Sequence, residues 1–200
     1  MAIVDYYMSL NSPWTYLGSA RFAAMAKQHG ATVRVKPTNF GEVFSKTGGL
    51  PLPKRSPERQ AYRLMDMKRW RDHLAMPINV QPKFFPTDEK PATRLVIAAT
   101  LQGLDAHALA TELGRALWER EENHADATVQ DAAAKRAGLD AVKIRAVAPS
   151  DTDLDAIMQN NTEEAIARGV FGAPSYVFAD GEIFWGQDRL EFVERKLAKA

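Results

Sequence analysis

Residues 169–190 read Gly-Val-Phe-Gly-Ala-Pro-Ser-Tyr-Val-Phe-Ala-Asp-Gly-Glu-Ile-Phe-Trp-Gly-Gln-Asp-Arg-Leu. Two short apolar runs, Ser175 to Ala179 and Glu182 to Trp185, flank an Asp180-Gly181 pair. Asp-Gly readily adopts the positive φ angles of a tight hairpin turn, so the runs predict two antiparallel strands. A helix is expected next, from about Asp188 to Lys199. Pro174 stands at the start of the first strand, where its missing N–H is tolerated. A cis Ala173-Pro174 bond is the sharper expectation, because it turns the Ala173 main chain outward, where an extended peptide can pair by strand addition.

The other end of the chain supplies the complement. Ala2 to Met8 is a short apolar run with Ile3, Val4, Tyr6 and Tyr7, and polar Ser9 to Ser12 precedes Pro13. From Trp14 to Gln28 the apolar residues Tyr16, Leu17, Ala20, Ala24 and Met25 recur near helical spacing, and Gly30 stands where a helix stops. Thr32 to Val35 is β-branched and alternating. Strand, helix, strand is the βαβ unit of a sheet with a parallel pair.

Between these ends the pattern changes. Asn39 to Pro57 holds Gly41, Gly48, Gly49, Pro51, Pro53 and Pro57, and is expected as a long loop. A helix from Pro57 to about Leu74 follows, its Arg59, Arg63, Lys68, Arg69 and Arg71 interleaved with Glu58, Asp66 and Asp72. That mixture predicts a solvated face rather than a nucleic-acid surface. Met76 to Pro91 contains four prolines and is irregular. Four helical stretches then run near Ala92 to Gln102, Ala106 to Glu121, Thr128 to Ala137 and Asp151 to Arg168. A βαβ start, a helical middle and a ββα finish is the thioredoxin order. The expected fold is α/β, a thioredoxin-like mixed sheet with an inserted all-helical domain. Its division is residues 1–40 and 169–200 for the sheet domain and 41–168 for the loop and insertion.

The 200 residues are 46% hydrophobic, enough for a full core, and 26 basic against 25 acidic side chains leave a formal charge of +1. No general field favours nucleic acid or an anionic membrane. The chain has no cysteine, so a disulfide framework, a thiolate metal site or a Cys-based redox pair is excluded. His29, His73, His107 and His124 show no paired ligand spacing, and no metal is expected. His124, beside Glu121 and Glu122, is expected at the surface. No run of apolar residues is long enough to span a membrane, and the expected location is the cytoplasm.

Three positions can carry chemistry. Ser12, before Pro13, is an ordinary N-cap on the bland reading; on the functional one it donates to an anion held at the helix N-terminus. Ala173 offers its main chain to a peptide. Trp185-Gly186-Gln187-Asp188-Arg189 joins the last strand to the last helix; Asp188 either caps that helix or meets a charged head group beside Ala173.

Together, Asn11-Ser12-Pro13-Trp14-Thr15-Tyr16-Leu17, Val170-Phe171-Gly172-Ala173-Pro174 and Phe184-Trp185-Gly186-Gln187-Asp188-Arg189-Leu190 resemble the 2-hydroxychromene-2-carboxylate isomerase family. That family is related to kappa-class glutathione transferases and to thioredoxin-like proteins of the DsbA type. The resemblance implies glutathione as cofactor, with Ser12 contacting its sulfur as the catalytic residue, Ala173 pairing with its backbone, and Trp185, Gly186, Gln187 and Asp188 recognising its γ-glutamyl end. Family members often carry an asparagine in the Gly-Pro-rich loop where this chain has Gly49. A homodimer is also implied.

The reaction so implied is reversible thiolate addition to an aromatic 2-oxo acid or its cyclic hemiketal, followed by rotation and loss of the thiolate. An aromatic carboxylate substrate needs a cation and an apolar wall. Lys46, Arg55, Arg63 and Lys83 are candidate cations, and Trp14, Phe40, Tyr62, Phe84 and Phe85 candidate wall residues. A conjugating transferase is the nearest rival, and a non-catalytic glutathione- or peptide-binding module is the rival of another class. A dithiol oxidoreductase is excluded, because the position of its cysteine pair reads Ser12-Pro13-Trp14-Thr15.

Overall fold

The computed structural model describes residues 1–200. Strand β1 (Ile3–Met8) pairs in parallel with β2 (Thr32–Pro37), and helix α1 (Pro13–Gln28) connects them. Strand β3 (Ser175–Phe178) runs antiparallel to β1 and forms the predicted hairpin with β4 (Ile183–Trp185). The sheet order is β2-β1-β3-β4, the thioredoxin-like mixed sheet expected from the two chain ends.

Residue alternation along the central strands distributes the core. Val4, Tyr6 and Met8 of β1 and Tyr176 and Phe178 of β3 point to one face, where they pack with Phe22 of α1. Tyr6 stacks on Tyr176 with ring centroids 5.4 Å apart, and Phe22 lies 4.5 Å from Tyr176. Tyr7 and Val177 point to the opposite face. Each large apolar side chain so buried contributes about 2 kcal/mol.

That opposite face is covered by α2 (Phe40–Thr47) and α8 (Asp151–Ala167), through Phe40, Val43 and Ala165. Helix α2 corrects the expectation of a loop from Asn39 to Pro57. Asn39 accepts from the Gly41 and Glu42 N–H groups, and Gly48, at φ 78°, ends the helix in the left-handed conformation. The glycines there serve the helix ends rather than breaking its middle.

The remaining helices build the inserted subdomain. Helix α3 (Pro57–Leu74) begins at Pro57 as expected, and α4 (Lys90–Leu101), α5 (Ala106–Trp118) and α6 (Ala127–Arg136) lie close to the predicted stretches. One further short helix, α7 (Ala141–Ala146), was not expected. Met67 of α3 is fully buried against Tyr16, Leu17, Leu117 and Trp118, which fixes α3 beside the start of α1. The chain ends with α9 (Leu190–Leu197), preceded by a single 3-10 turn at Gln187–Arg189. No helix is long and apolar enough to cross a membrane.

His124 corrects another expectation. It is fully buried, with neither ring nitrogen hydrogen-bonded, and burial pushes its pKa down to about 4. Gln130 donates to its carbonyl at 3.0 Å, drawing the loop inward beneath α6.

Candidate functional site

Ser12 is the N-cap of α1: the Thr15 N–H donates to its Oγ at 3.2 Å. Its own hydroxyl proton has no acceptor in the structure, so capping leaves the donor free. The cap and the anion-donor roles are therefore compatible. The preceding turn is held from the inserted subdomain, where Glu89 accepts from Ser9 Oγ at 2.8 Å and from the Asn11 N–H at 3.1 Å.

Beside this turn runs the segment Phe171 to Ser175, in which the Ala173-Pro174 bond is cis. The Ser175 hydroxyl donates to the Gly172 carbonyl at 2.7 Å, and the Gly186 N–H donates to the Pro174 carbonyl at 2.9 Å. These bonds tie the segment to the turn after β4. Neither the N–H nor the carbonyl of half-buried Ala173 has a partner. Buried or half-buried main-chain groups normally find one, so this pair is open to a ligand.

Trp185 lies across Gly172, where a Cβ would stand 2.3 Å from the indole nitrogen. Only glycine permits this approach. The Trp185 ring also meets Phe171, with centroids 4.8 Å apart, and remains 50% exposed. Gln187 behaves differently. Its side chain is turned into α1, where Arg21 donates to its Oε1 at 2.7 Å. Asp188 pairs with Arg189 at 3.1 Å.

A cavity of about 650 Å³ opens between these loops and α3. Trp14, Ala173, Trp185, Gly186, Gln187 and Asp188 form one wall, and Arg55, Arg59, Tyr62, Arg63 and Trp70 the other. Ser12 is not among the lining residues; Trp14, two residues further on in α1, is. Lys46 lies exposed on α2, away from the cavity, and Lys83 is exposed against Phe84. Phe85 sits behind the wall, 4.9 Å from Trp118, and touches the site only through Arg63. Phe40 belongs to the core beneath α2.

The α3 wall carries Arg55, Arg59 and Arg63 against Glu58 and Asp66, a net positive charge of one. Asp66 pairs with Arg69 at 3.9 Å, but Arg55, Arg59 and Arg63 form no ion pair. Burial, with a smaller effect from the charge of Arg55, pushes the Arg63 pKa down to about 10. Burial and the charge of Arg59 lower that of Arg55. A half-buried guanidinium without a counter-charge is costly in isolation, and an incoming carboxylate relieves that cost. Arg59 and Trp70 were not among the candidate site residues, although Arg59 and Arg63, four apart in the helix predicted from Pro57, share one of its sides.

Comparisons with known proteins agree with this architecture. A family model described as a DSBA-like thioredoxin domain matches residues 3–198. The chain is similar to 2-hydroxychromene-2-carboxylate isomerase of Sphingobium xenophagum, 28% identical over 196 residues that span 97% of each chain. It is 24% identical to Homo sapiens glutathione S-transferase kappa 1, across 98% of this chain and 91% of that one. A solved structure of 2-hydroxychromene-2-carboxylate isomerase superposes with a TM-score of 0.79 at 24% identity, covering 98% of this chain and 95% of that chain.

Proposed function

The chain belongs to the DSBA-like thioredoxin family, and from that premise we propose that it is a glutathione-dependent isomerase. Its substrate on this reading is 2-hydroxychromene-2-carboxylate or a related aromatic 2-oxo acid, converted to the trans alkene, trans-o-hydroxybenzylidenepyruvate. The observation that carries the reading is a cavity with a free peptide edge at Ala173 on one wall and three unpaired arginines on the other. Similarity to the Sphingobium isomerase along the full chain supports it.

The residues present fit glutathione. An extended peptide pairs with the open N–H and carbonyl of Ala173. Arg55, Arg59 and Arg63 would meet its anionic groups, and Ser12 with the N-terminus of α1, where an anion is favoured, would hold its sulfur. Because the chain has no cysteine, a reactive thiol comes only from a ligand. Glutathione, when bound, would supply a thiolate nucleophile for reversible addition to a conjugated carbon, with no net consumption.

The protein's own contribution is charge placement and orientation. The Ser12 hydroxyl donates to the sulfur and keeps it ionised. Arg63, with Arg55 next to it, receives the substrate carboxylate and holds it at one end. Trp14, Tyr62 and Trp70 give the aromatic ring an apolar surface and keep water from it.

The test is an ultraviolet difference titration of bound glutathione, followed by turnover of the hemiketal substrate. A thiolate band with a pKa well below that of the free thiol, with isomer formed and glutathione recovered in full, is expected. Accumulation of a thioether conjugate instead makes the protein a transferase. Binding without the band makes it a passive peptide-binding module.

A further inference from the structure

The geometry points to Glu89 as a positioning residue: its carboxylate, supplied by the inserted subdomain, fixes the turn that presents Ser12. Glu89 is the residue from which α4 starts, and its main-chain carbonyl accepts from the Thr93 N–H at 2.8 Å. The backbone of α4 therefore anchors it. The side chain reaches across to the β1–α1 turn, where Ser9 Oγ donates to both carboxylate oxygens, at 3.0 and 2.8 Å. The Asn11 N–H donates to Oε2 at 3.1 Å, and the Asn11 side chain donates to the Thr87 carbonyl at 2.8 Å.

The residue before Ser12 is thus clamped twice by residues 87–89, while the N–H of Ser12 donates to the Ser9 carbonyl at 3.2 Å. Such charge-assisted bonds are stronger than neutral ones. Burial raises the pKa of Glu89, opposed by its bonds to Ser9 and Asn11, and the charge of Asp88 adds to the rise. From the turn packed against it come only neutral groups, Ser9, Leu10 and Asn11. The inserted subdomain thereby supports the site on two sides, with Arg59 and Arg63 of α3 lining the cavity and Glu89 behind the serine's turn.

This inference rests on the reading of Ser12 as the sulfur's partner, and two measurements separate their failures. Amide hydrogen exchange in Glu89→Ala is expected to quicken about tenfold at Asn11, with Val4 and Tyr6 unchanged. In the same variant the thiol pKa of bound glutathione is expected to rise, leaving about three- to tenfold less thiolate at fixed pH. Removing a nearby negative charge without moving Ser12 has the opposite sign, so a fall in that pKa overturns the inference. Unchanged exchange at Asn11, or an unchanged thiol pKa, also overturns it. In a Ser12→Ala background the Glu89 effect on the thiol is expected to vanish; additive effects count against the inference. If Glu89→Ala does not fold, Glu89→Gln, which keeps one acceptor oxygen, is measured in its place. If the wild-type protein shows no thiolate band, the Ser12 reading fails, and with it the functional role of Glu89, whatever the exchange shows.

Discussion

The Arg63 guanidinium lies over the Phe85 ring, 5.4 Å from its centroid, and meets no carboxylate. The aromatic face partly offsets the loss of water around the charge, but does not neutralise it. Arg63→Gln is therefore expected to weaken binding of an aromatic carboxylate substrate about tenfold or more, with a smaller effect on kcat. Steady-state kinetics at saturating glutathione check this. A KM unchanged within twofold means that the carboxylate is held elsewhere.

Ser12 carries a structural and a chemical role that substitution can separate. Ser12→Ala removes the cap and is expected to cost about 1 kcal/mol of stability, whereas Ser12→Gly costs only a few tenths. Both lack the hydroxyl proton. The two variants should therefore differ in urea midpoint yet lose the thiolate band equally. If loss of the band follows stability instead, the hydroxyl has no direct part in holding the sulfur.

Gly172→Ala places a methyl group where the Trp185 indole now stands, 2.3 Å from its nitrogen. The half-exposed ring has solvent to move into, so the expected cost is about 1–3 kcal/mol rather than loss of the fold. A changed Trp fluorescence spectrum and glutathione binding weakened about fivefold or more are expected. Fluorescence that shifts while affinity holds removes Trp185 from the cofactor site.

Acid sensitivity follows from two buried histidines. Burial pushes both His107 and His124 down to about 4. In the unfolded chain each titrates near 6.5. Between those values the unfolded state binds protons that the folded state refuses, so stability present above pH 6.5 is lost as the pH falls toward 4. The loss is of the order of 3 kcal/mol for each histidine when complete. Glu89 acts with the opposite sign, because its raised pKa lets the folded state keep a proton. Urea midpoints at pH 7 and pH 4.5 measure the balance, and His107→Gln is expected to remove about half of the slope. A flat profile in wild type contradicts the burial account.

Much of the sheet was legible because its signals are local. Ser12-Pro13 marks a helix start, Asp180-Gly181 marks a turn, and the β-branched alternation of Thr32 to Val35 marks a strand. Helix α2 was hidden because Gly41, Gly48 and Gly49 count against a helix in composition while standing at its ends in space. The α3 wall was only partly legible. Arg55 precedes Pro57, so a helical reading begun at Pro57 omits it, and the interleaved acids suggest a solvated surface. His124 follows two glutamates and an asparagine, and its burial depends on Gln130, six residues away on the next helix. Tertiary packing decides such positions, and periodicity does not report it.

The sheet order β2-β1-β3-β4 has a consequence for synthesis. β1 and β2 emerge early and can pair, but the other edge of β1 waits for residues 175–178. At ribosomal speeds that interval is roughly 10 to 30 seconds, during which a strand carrying Tyr6 and Tyr7 has one open edge. Open apolar edges are templates for pairing between chains. The nascent protein therefore faces its greatest hazard of aggregation before its last hairpin leaves the ribosome, and folding chaperones that shield the first strand have their largest effect in that interval.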